Sequence, residues 1–573
     1  MKTIFAVAKQ TLLQCLRMKT ALGVLIMLAL TLIFMPNLVS GDGTLAGQIR
    51  SLLTYGIGLT TFLLAVFTIL VTVSIITEDI RNKTIILIVV KPISRWKYLL
   101  GRWLGIIVLD LVLCAITFTG VYVGVLFLRN ATSAGPEDRT TIETEIFTAR
   151  EIISPRVPDF DAIARAKINE LKKDKVEYQR RLQSYSNEKD WRKRSSEERL
   201  YDYYYARAKN EVEIKNTGGQ FLWVFDNIKL SNLTITEKCD LYFQPSRNRF
   251  VFTADKKLLG RLKQYTPIYV NDMKALVTKI GPTAFEVSFK RNQIEKTPVK
   301  NITSDKSANI TVTPVCQLRY TAQIFNRSGT NEGFQGAFKY RLFWGGYDDP
   351  KDANSQSIWT RNSYDMEDGT AKTGAASEFN IMPEHLGKAN NTLGVVLYNG
   401  GVAYTEAQEG ASPNNSLTLK IGLNTISLMV PVESFTSNYI KAVLLIFLQL
   451  LFLAALGIFF STFLSFPISM IACSVFLLGG IMFGSIQQSI HDIGFANEEG
   501  VLPIMSKIAY GVISFIMPDI SAMTPSDKLA DGMLISWSKV FSLGGINAVC
   551  RGIFYLLIGC GIFYKREISQ VQV

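Results

Sequence analysis

The chain has 573 residues, 48% of them hydrophobic and 19% charged, so it is long enough for a membrane part and at least one soluble domain. Its formal net charge of +13 could indicate nucleic-acid binding, but most cations outside 130–438 lie beside apolar runs. Because short cytoplasmic loops of membrane proteins are rich in Lys and Arg, this distribution indicates membrane orientation and excludes a nucleic-acid footprint as the main source of the charge.

Residues 1–19 predict an amphipathic helix that lies in the cytoplasmic membrane interface. Basic residues alternate there with apolar residues at helical spacing, namely Phe5, Ala8, Leu12 and Leu16. A cleaved signal peptide is the alternative, because the basic start leads into an apolar run. No clear small-x-small cleavage site follows that run, which favours the retained helix.

Three apolar runs in 20–128 predict the first three membrane spans. They cover 20–38, 52–76 and 103–128, and each is long enough for a hydrocarbon core of ~30 Å. The first and third spans would run outward and the second inward.

The loop 77–103, between the second and third spans, carries six basic and two acidic residues, which indicates a cytoplasmic face. Its apolar stretch 85–90 is too short to span a bilayer. Lys91 and Pro92 follow, and proline breaks or restarts a helix because it lacks a backbone donor and restricts the preceding residue. The loop therefore predicts a short helix against the membrane, a turn, and a second helix that re-enters it.

The acidic pair that leaves the second span, the short apolar helix and the run KPISRWKYLLGRWLG together resemble the cytoplasmic loop of type-2 ATP-binding cassette (ABC) transporter permeases. In that family the loop docks onto a separate ATPase subunit. The resemblance implies a docking and transmission role for eight residues, namely Glu78, Asp79, Arg81, Lys83, Lys91, Pro92, Arg95 and Lys97.

The third predicted span contains a carboxylate. Asp110 lies eight residues beyond Arg102, which corresponds to ~12 Å of helix rise and places it well inside hydrocarbon. A lone intramembrane Asp should pair, neutralise or face a water-filled path, so it is a candidate for the translocation path. A structural hydrogen bond between helices is the alternative.

The segment 129–438 contains no predicted span and would form an extracytoplasmic domain. Residues 159–215 alternate charged and apolar side chains and predict a helical hairpin that turns near 184–190, whereas 218–436 reads as short strands of one or two sandwich or barrel modules. Cys239 and Cys316 are its two cysteines. They could form a disulfide in an oxidising compartment or remain buried thiols.

The region 439–573 predicts spans four to six, at 443–464, 468–486 and 544–564, with an outer re-entrant or interfacial segment at 487–543. Its junction AALGIFFSTFLSFPISMIACSVF again resembles the type-2 ABC permeases. Gln449, the only amide of the fourth span, either bonds across a helix interface or lines a path.

Several motifs are absent from the sequence. It has no GxxxxGK[ST] run, so a P-loop ATPase would have to be supplied by a partner that binds ATP and magnesium. It has two histidines, no HExxH and no clustered Cys/His set, which argues against a conventional zinc site. We therefore expect no cofactor, no metal and no catalytic residue in this chain, and expect that it is not itself an enzyme.

The predicted fold is a membrane α-helical protein with six transmembrane helices, both termini cytoplasmic in the cell (inner) membrane, and a large extracytoplasmic α+β domain. The resemblance implies a permease subunit of an ABC exporter, paired with a second permease subunit and an ATPase subunit, in contact with membrane lipid. A non-transporting anchor, or an ATPase-driven mechanical device, could instead present the outer domain to an envelope partner. A membrane enzyme that uses Asp110 is a further alternative.

Overall fold

The computed structural model describes residues 2–38, 43–82, 94–130, 141–186, 195–216, 218–228, 235–244, 249–253, 267–270, 273–279, 284–289, 307–312, 316–325, 337–348, 358–372, 374, 376–381, 392–403, 418–492, 511 and 519–565. They divide into two compact units. The helical unit comprises Met1–Ala149 and Glu433–Val573, and the β-rich unit comprises Arg150–Val432.

The helical unit is built from long helices and a few short ones. They are α1 (Lys2–Arg17), α2 (Lys19–Leu38), α3 (Leu45–Arg81), α4 (Arg95–Arg129), α8 (Phe435–Ser461), α9 (Phe466–Asp492), α10 (Ile520–Met523), α11 (Ser526–Ala530), α12 (Trp537–Lys539) and α13 (Arg551–Lys565). A π-helical segment, Val540–Cys550, joins α12 to α13, and a π-helical turn, Ile142–Ile146, follows α4.

Five helices in the described part of the chain are long and apolar enough to cross a membrane. They are Leu45–Arg81, Arg95–Arg129, Phe435–Ser461, Phe466–Ser485 and Trp537–Lys565. Predicted spans two, three and six fall within three of these helices, and predicted spans four and five overlap Phe435–Ser461 and Phe466–Ser485 but end beyond them. The predicted first span coincides with α2, which is not among the five. The number of spans and their directions remain predictions.

Helix α3 forms the centre of this unit. From Leu45 to Ala65 its buried residues recur at helical spacing on one face, and from Phe67 to Ile76 nearly every residue is buried. Helices α4 and α8 pack against it and against each other. The Tyr439 hydroxyl on α8 donates to the Phe118 carbonyl on α4 (2.7 Å), and the Trp103 indole on α4 donates to the Leu451 carbonyl on α8 (3.3 Å). These bonds satisfy two polar side chains inside an apolar bundle.

Helix α1 packs against α4 with a face that does not contain Phe5. Phe5 is 68% exposed, whereas Val7, Thr11 and Cys15 are buried. The buried residues repeat every four positions and lie against α4. The helix is therefore a packed element of the bundle, and its position in the cytoplasmic membrane interface stays a prediction.

The β-rich unit begins with three helices where the sequence predicted a two-helix hairpin. They are α5 (Phe160–Lys173), α6 (Lys175–Ser186) and α7 (Ser196–Glu213). Asp174 causes the additional break, because its carboxylate accepts the backbone N–H groups of Val176 and Glu177 and so caps the start of α6. The predicted turn near 184–190 lies mostly outside the described residues.

The strands of the β-rich unit are β1 (Thr148–Ile153), β2 (Ile214–Asn216), β3 (Gln220–Phe225), β4 (Ile235–Gln244), β5 (Arg249–Thr253), β6 (Pro267–Val270), β7 (Met273–Lys279), β8 (Ala284–Phe289), β9 (Ser307–Val312), β10 (Cys316–Thr321), β11 (Gln323–Phe325), β12 (Ala337–Asp348), β13 (Ile358–Lys372), β14 (Ala376–Ile381), β15 (Leu393–Ala403), β16 (Thr418–Lys420) and β17 (Ile426–Ser434). Most of them are short, as predicted, but β4, β12, β13 and β15 have 10, 12, 15 and 11 residues.

These strands form sheets and a barrel. The sheet orders are β1-β17-β10-β14, β11-β16-β2 and β13-β12-β15-β3, and the closed barrel runs β4-β5-β8-β7-β6-β9. Alternate residues of the first and third sheets share one apolar core, which includes Trp223, Leu318, Leu342 and Leu397. The sandwich and the barrel are the two module types that the strand pattern predicted.

The disulfide between Cys239 and Cys316 is not formed. Both side chains are buried thiols. Cys239 lies opposite Ala308 in the barrel, whereas Cys316 pairs with Ile381 in a sheet of the sandwich. The two residues belong to different modules. The number of cysteines in the sequence could not show this separation. Burial raises the pKa of the Cys316 thiol to about 12, so it remains protonated at neutral pH.

Candidate functional site

The cytoplasmic-loop residues identified from the sequence lie at the facing ends of α3 and α4. Helix α3 ends at Arg81, and α4 begins at Arg95. Glu78 and Lys97 are partly exposed and Arg81 is exposed. Lys83, Lys91 and Pro92 lie outside the described residues.

Asp79 is different from its neighbours because its side chain points into the bundle. The guanidinium of Arg102 and the hydroxyl of Tyr98, both on α4, donate to the same oxygen, Asp79 Oδ2. The side chains of Arg102 and Asp79 are 2% and 7% exposed. Such a pair persists in an apolar interior only when hydrogen bonds offset the loss of solvation.

Arg102 also binds α1. Its Nη1 group donates to Gln14 Oε1 (2.8 Å) and to Thr11 Oγ1 (3.2 Å). The five residues Asp79, Tyr98, Arg102, Thr11 and Gln14 therefore connect three helices, and we call them the buried junction. Three of its residues, Asp79, Tyr98 and Arg102, belong to the helical ends of the 77–103 segment.

Two glycines allow α1 to approach α4 closely enough for these bonds. A Cβ at Gly101 would lie 2.7 Å from the Cβ of Val7, and one at Gly105 would lie 2.6 Å from the Cβ of Thr11. Both distances are too short for carbon atoms, so glycine is required at both positions. Small residues four apart commonly permit such close packing between membrane helices.

Arg95 connects the start of α4 to the end of α13. Its Nη1 group donates to the carbonyls of Phe563 (2.9 Å) and Tyr564 (2.8 Å). The last carbonyls of a helix lack intrahelical partners and carry partial negative charge, so an arginine there is favourable. The ends of α3 and α4 beside the loop are thus bonded to each other, and α4 is also bonded to α1 and α13.

Asp110 lies further along α4, and its side chain is also fully buried, with 1% exposure of the residue. Its Oδ1 is 2.9 Å from the hydroxyl of Thr68 on α3. Its Oδ2 has no hydrogen-bond partner in the described part of the chain. Sequence reasoning identified Asp110 but gave no sign of its neighbour Thr68.

Gln449 is buried in α8, and its Oε1 also lacks a hydrogen-bond partner among the described residues. The hydroxyls of Thr60 and Thr61 on α3 are buried and unpartnered in the same sense. No hydrogen bond joins Gln449 to Asp110 among the described residues, so the two candidates are separate positions in one bundle. Unpartnered polar groups inside an apolar bundle cost free energy, so these residues are candidates for a functional role.

A second charged cluster, which sequence reasoning missed, lies where β17 passes into α8. Lys441 is 1% exposed, and its ammonium donates to both carboxylate oxygens of Glu433 at 2.7 Å. Burial acts to raise the pKa of Glu433, but hydrogen bonds from Lys441 and Ser437 outweigh it, so that the pKa is lowered. Glu433 lies near the end of a strand and Lys441 in the helix that follows, so no helical or strand spacing in the sequence indicates the pair.

The described residues contain no group of three or more His, Cys, Asp or Glu side chains that could hold a metal ion.

Comparison with known families gives one match. Residues 5–149 match the model of the family described as ABC-2 family transporter protein. No curated protein and no solved structure matches the chain. The matched segment runs from α1 to the boundary of the β-rich unit and includes the whole buried junction and Asp110. It supports an ABC-2 type permease, an integral membrane subunit that belongs with an ABC ATPase subunit.

Proposed function

We propose that the chain is the permease subunit of an ABC exporter, driven by a separate ATPase subunit that docks on the 77–103 loop. The observation that carries this proposal is the buried junction, which lies inside the family-matched segment and joins three helices beside that loop. A permease must convert movement of a docked partner into movement of several spans at once. A buried, multiply bonded contact next to the docking loop meets this requirement.

The transmission step follows from the contacts of Arg102 and Arg95. A displacement of the loop moves the end of α3, which carries Asp79, and the start of α4, which carries Arg102. Because the pair is buried, separating it would leave an uncompensated charge and cost about 3–5 kcal/mol. The ends of α3 and α4 therefore move together, and α1 and the end of α13 follow through Thr11, Gln14 and Arg95.

The docking residues divide into two roles. Glu78, Arg81 and Lys97 have exposed surface and would contact the ATPase directly. Asp79 and Arg95 would act as positioning residues, because their side chains bind other helices of this chain. Lys83, Lys91 and Pro92 lie outside the described residues and are proposed for docking on the resemblance alone.

The remaining assignments complete the proposal. ATP and magnesium would bind in the partner ATPase, and a second permease subunit would complete the transporter. Six spans in the inner membrane, with both termini cytoplasmic, would place the β-rich unit outside the cell membrane. Asp110 and Gln449 would line the translocation path, because both are buried and retain an unpartnered oxygen among the described residues.

The test is co-purification from the native host followed by an ATPase assay. The variant carries Glu78→Ala, Arg81→Ala and Lys97→Ala, and the expected result is loss of the accompanying ATPase from a chain that still elutes as a monodisperse peak. The control carries Glu170→Ala, Lys173→Ala and Lys175→Ala, which removes the same charges from exposed positions of the β-rich unit. Retention of the ATPase by the loop variant, or its absence from wild type, would contradict the proposal.

A second candidate is an ATPase-driven mechanical device that acts on an envelope partner through the β-rich unit. The observation that favours it is the size of that unit, which spans Arg150–Val432 and has its own apolar core. Deletion of 155–430 separates the candidates, since a device would lose its activity in cells while a transporter with its path in the helical unit would retain substrate-stimulated ATP hydrolysis.

A further inference from the structure

Asp110 is a buried carboxyl whose surroundings do not suit a negative charge. It lies within α4 and is 1% exposed. Its one hydrogen-bond partner in the described part of the chain is the Thr68 hydroxyl. An isolated carboxylate in an apolar interior is far more costly than the neutral acid, and groups in this position normally take up a proton.

The two hydrogen-bond contacts of the Thr68 hydroxyl support the protonated form of Asp110. Thr68 Oγ1 lies 2.9 Å from the Leu64 carbonyl one turn earlier and 2.9 Å from Asp110 Oδ1. A hydroxyl has one proton to donate and two lone pairs that accept. Thr68 can therefore donate its proton fully to the Leu64 carbonyl or to Asp110 Oδ1, but not to both. Both contacts are full hydrogen bonds at the same time only if the carboxyl is protonated and donates to Thr68.

No cation in the described part of the chain pairs with the Asp110 carboxyl. Thiols face it from two helices: Cys15 on α1 and Cys114, one turn further along α4, both of which interact with it electrostatically. Thr68 faces it from α3, and α8 and α13 contribute no charged group that pairs with it among the described residues. Arg102 lies eight residues away, ~12 Å along the helix, and its charge is engaged by Asp79.

We infer that Asp110 is a proton-binding site: its carboxyl holds a proton that it donates to Thr68, and it releases this proton to water when α3 and α4 separate at this level. On release the O–H bond breaks, its electron pair stays on the carboxylate, and a water molecule takes the proton. No oxidation or reduction occurs. The presence of the proton does not depend on the proposed function, whereas its release during an ATP-driven stroke does.

The release has a physical cause. Separation of α3 from α4 removes the Thr68 acceptor and admits water, and hydration stabilises the carboxylate over the acid. Return of α3 to α4 excludes the water and restores the acid. One proton would then be taken up and lost in each cycle, at a position within the proposed path.

Infrared spectroscopy of the purified full-length chain in lipid vesicles, without nucleotide, tests the proton. The wild-type spectrum at pH 7 minus that of Asp110→Asn should contain the carbonyl stretch of a protonated carboxylic acid, shifted by deuterium oxide. The same difference for Asp79→Asn should contain carboxylate bands only. Carboxylate bands alone in the Asp110 difference would overturn the inference.

A second variant covers the case in which Asp110→Asn fails to fold. Thr68→Val removes the hydrogen-bond acceptor and retains the shape of the side chain. A protonated Asp110 should then show its carbonyl stretch at higher frequency, because the O–H group has lost its partner. If Thr68→Val leaves the protonated-acid region unchanged, the carboxyl does not donate to Thr68 and the inference is wrong.

Release is tested with the co-purified ATPase and a non-hydrolysable ATP analogue. The protonated-acid band of Asp110 should lose intensity when the analogue binds. An unchanged band in a complex that binds the analogue would overturn release. Absence of any ATPase would contradict the proposed function instead, while the nucleotide-free spectrum would still decide whether the proton is present.

Discussion

The two buried aspartates of the helical unit have opposite surroundings. Asp79, at the end of α3, receives hydrogen bonds from the guanidinium of Arg102 and the hydroxyl of Tyr98. Asp110, within α4, has only the Thr68 hydroxyl, and its second oxygen has no partner among the described residues. A paired charge resists separation, whereas an unpaired carboxyl can change its protonation at low cost. The same residue type can therefore hold helices together at one level and respond to their separation at another.

The largest expected effect comes from breaking the pair at Arg102. Arg102→Met retains much of the side-chain volume and removes the guanidinium that pairs with the buried Asp79 carboxylate. We expect a loss of about 3–5 kcal/mol in the free energy of unfolding, because one partner of a buried ion pair is left uncompensated. Unfolding of the detergent-solubilised protein by sodium dodecyl sulfate measures it.

The double variant Asp79→Leu with Arg102→Met is the control, since it removes both charges. It should recover most of the stability that the single variant loses, because replacement of a buried ion pair by apolar residues is often neutral. A double variant as unstable as Arg102→Met would show that Arg102 acts through Thr11 and Gln14 and that Asp79 contributes little.

The next effect concerns the approach of α1 to α4. Gly105→Ala places a Cβ 2.6 Å from the Cβ of Thr11 and 2.7 Å from the Ala8 carbonyl oxygen, so α1 must move away. We expect a cost of about 1–3 kcal/mol, typical of overpacking, and faster proteolysis within α1. Gly124→Ala on the same helix is the control, since its Cβ would meet only Leu52 at 3.7 Å, an ordinary contact. Equal proteolysis of both variants would contradict the role of Gly105.

A smaller effect is expected from Asp110→Asn, and it contrasts with Asp79→Asn. An amide at 110 is nearly isosteric with the neutral acid and can still donate to Thr68, so the free energy of unfolding should change by less than about 1 kcal/mol. An amide at 79 weakens charge-assisted bonds and leaves Arg102 unpaired, so that variant should lose several times more. Equal losses, measured by the same unfolding assay, would remove the distinction between the two aspartates.

The sequence predicted the helices that carry the two aspartates, but it did not show which residues surround each aspartate. The long apolar runs and the short alternating strands predicted the helices and the β-rich unit, because hydrophobic periodicity is a local property. Arg102 was counted among the basic residues of a cytoplasmic loop, since its pairing with Asp79 depends on how α3 and α4 align. Thr68 gave no signal, because a threonine in an apolar helix has no distinctive spacing.

Other contacts that the sequence does not show have the same origin. The packed face of α1 is determined by Gly101 and Gly105, which lie about 90 residues later in the chain. Cys239 and Cys316 were considered together because they are the two cysteines of their segment, although they lie in different modules. Local patterns identify elements, and contacts between distant elements require the structure.

The smallest expected effect concerns a third carboxylate, Glu433, which is paired with a cation, as Asp79 is, but is less buried than either aspartate. Its side chain is 30% exposed, and Lys441 holds both of its oxygens. Because its folded-state pKa is lowered below the ordinary value of 4.5, the pair contributes stability above that value and loses it as the pH falls through the lower, folded-state pKa. The wild type should therefore lose stability below about pH 4.5 more steeply than Glu433→Gln, as thermal unfolding in detergent at a series of pH values would show. Glu151→Gln, an exposed carboxylate on β1, should retain the wild-type slope, and a matching slope in Glu433→Gln would mean that partial exposure already screens the pair.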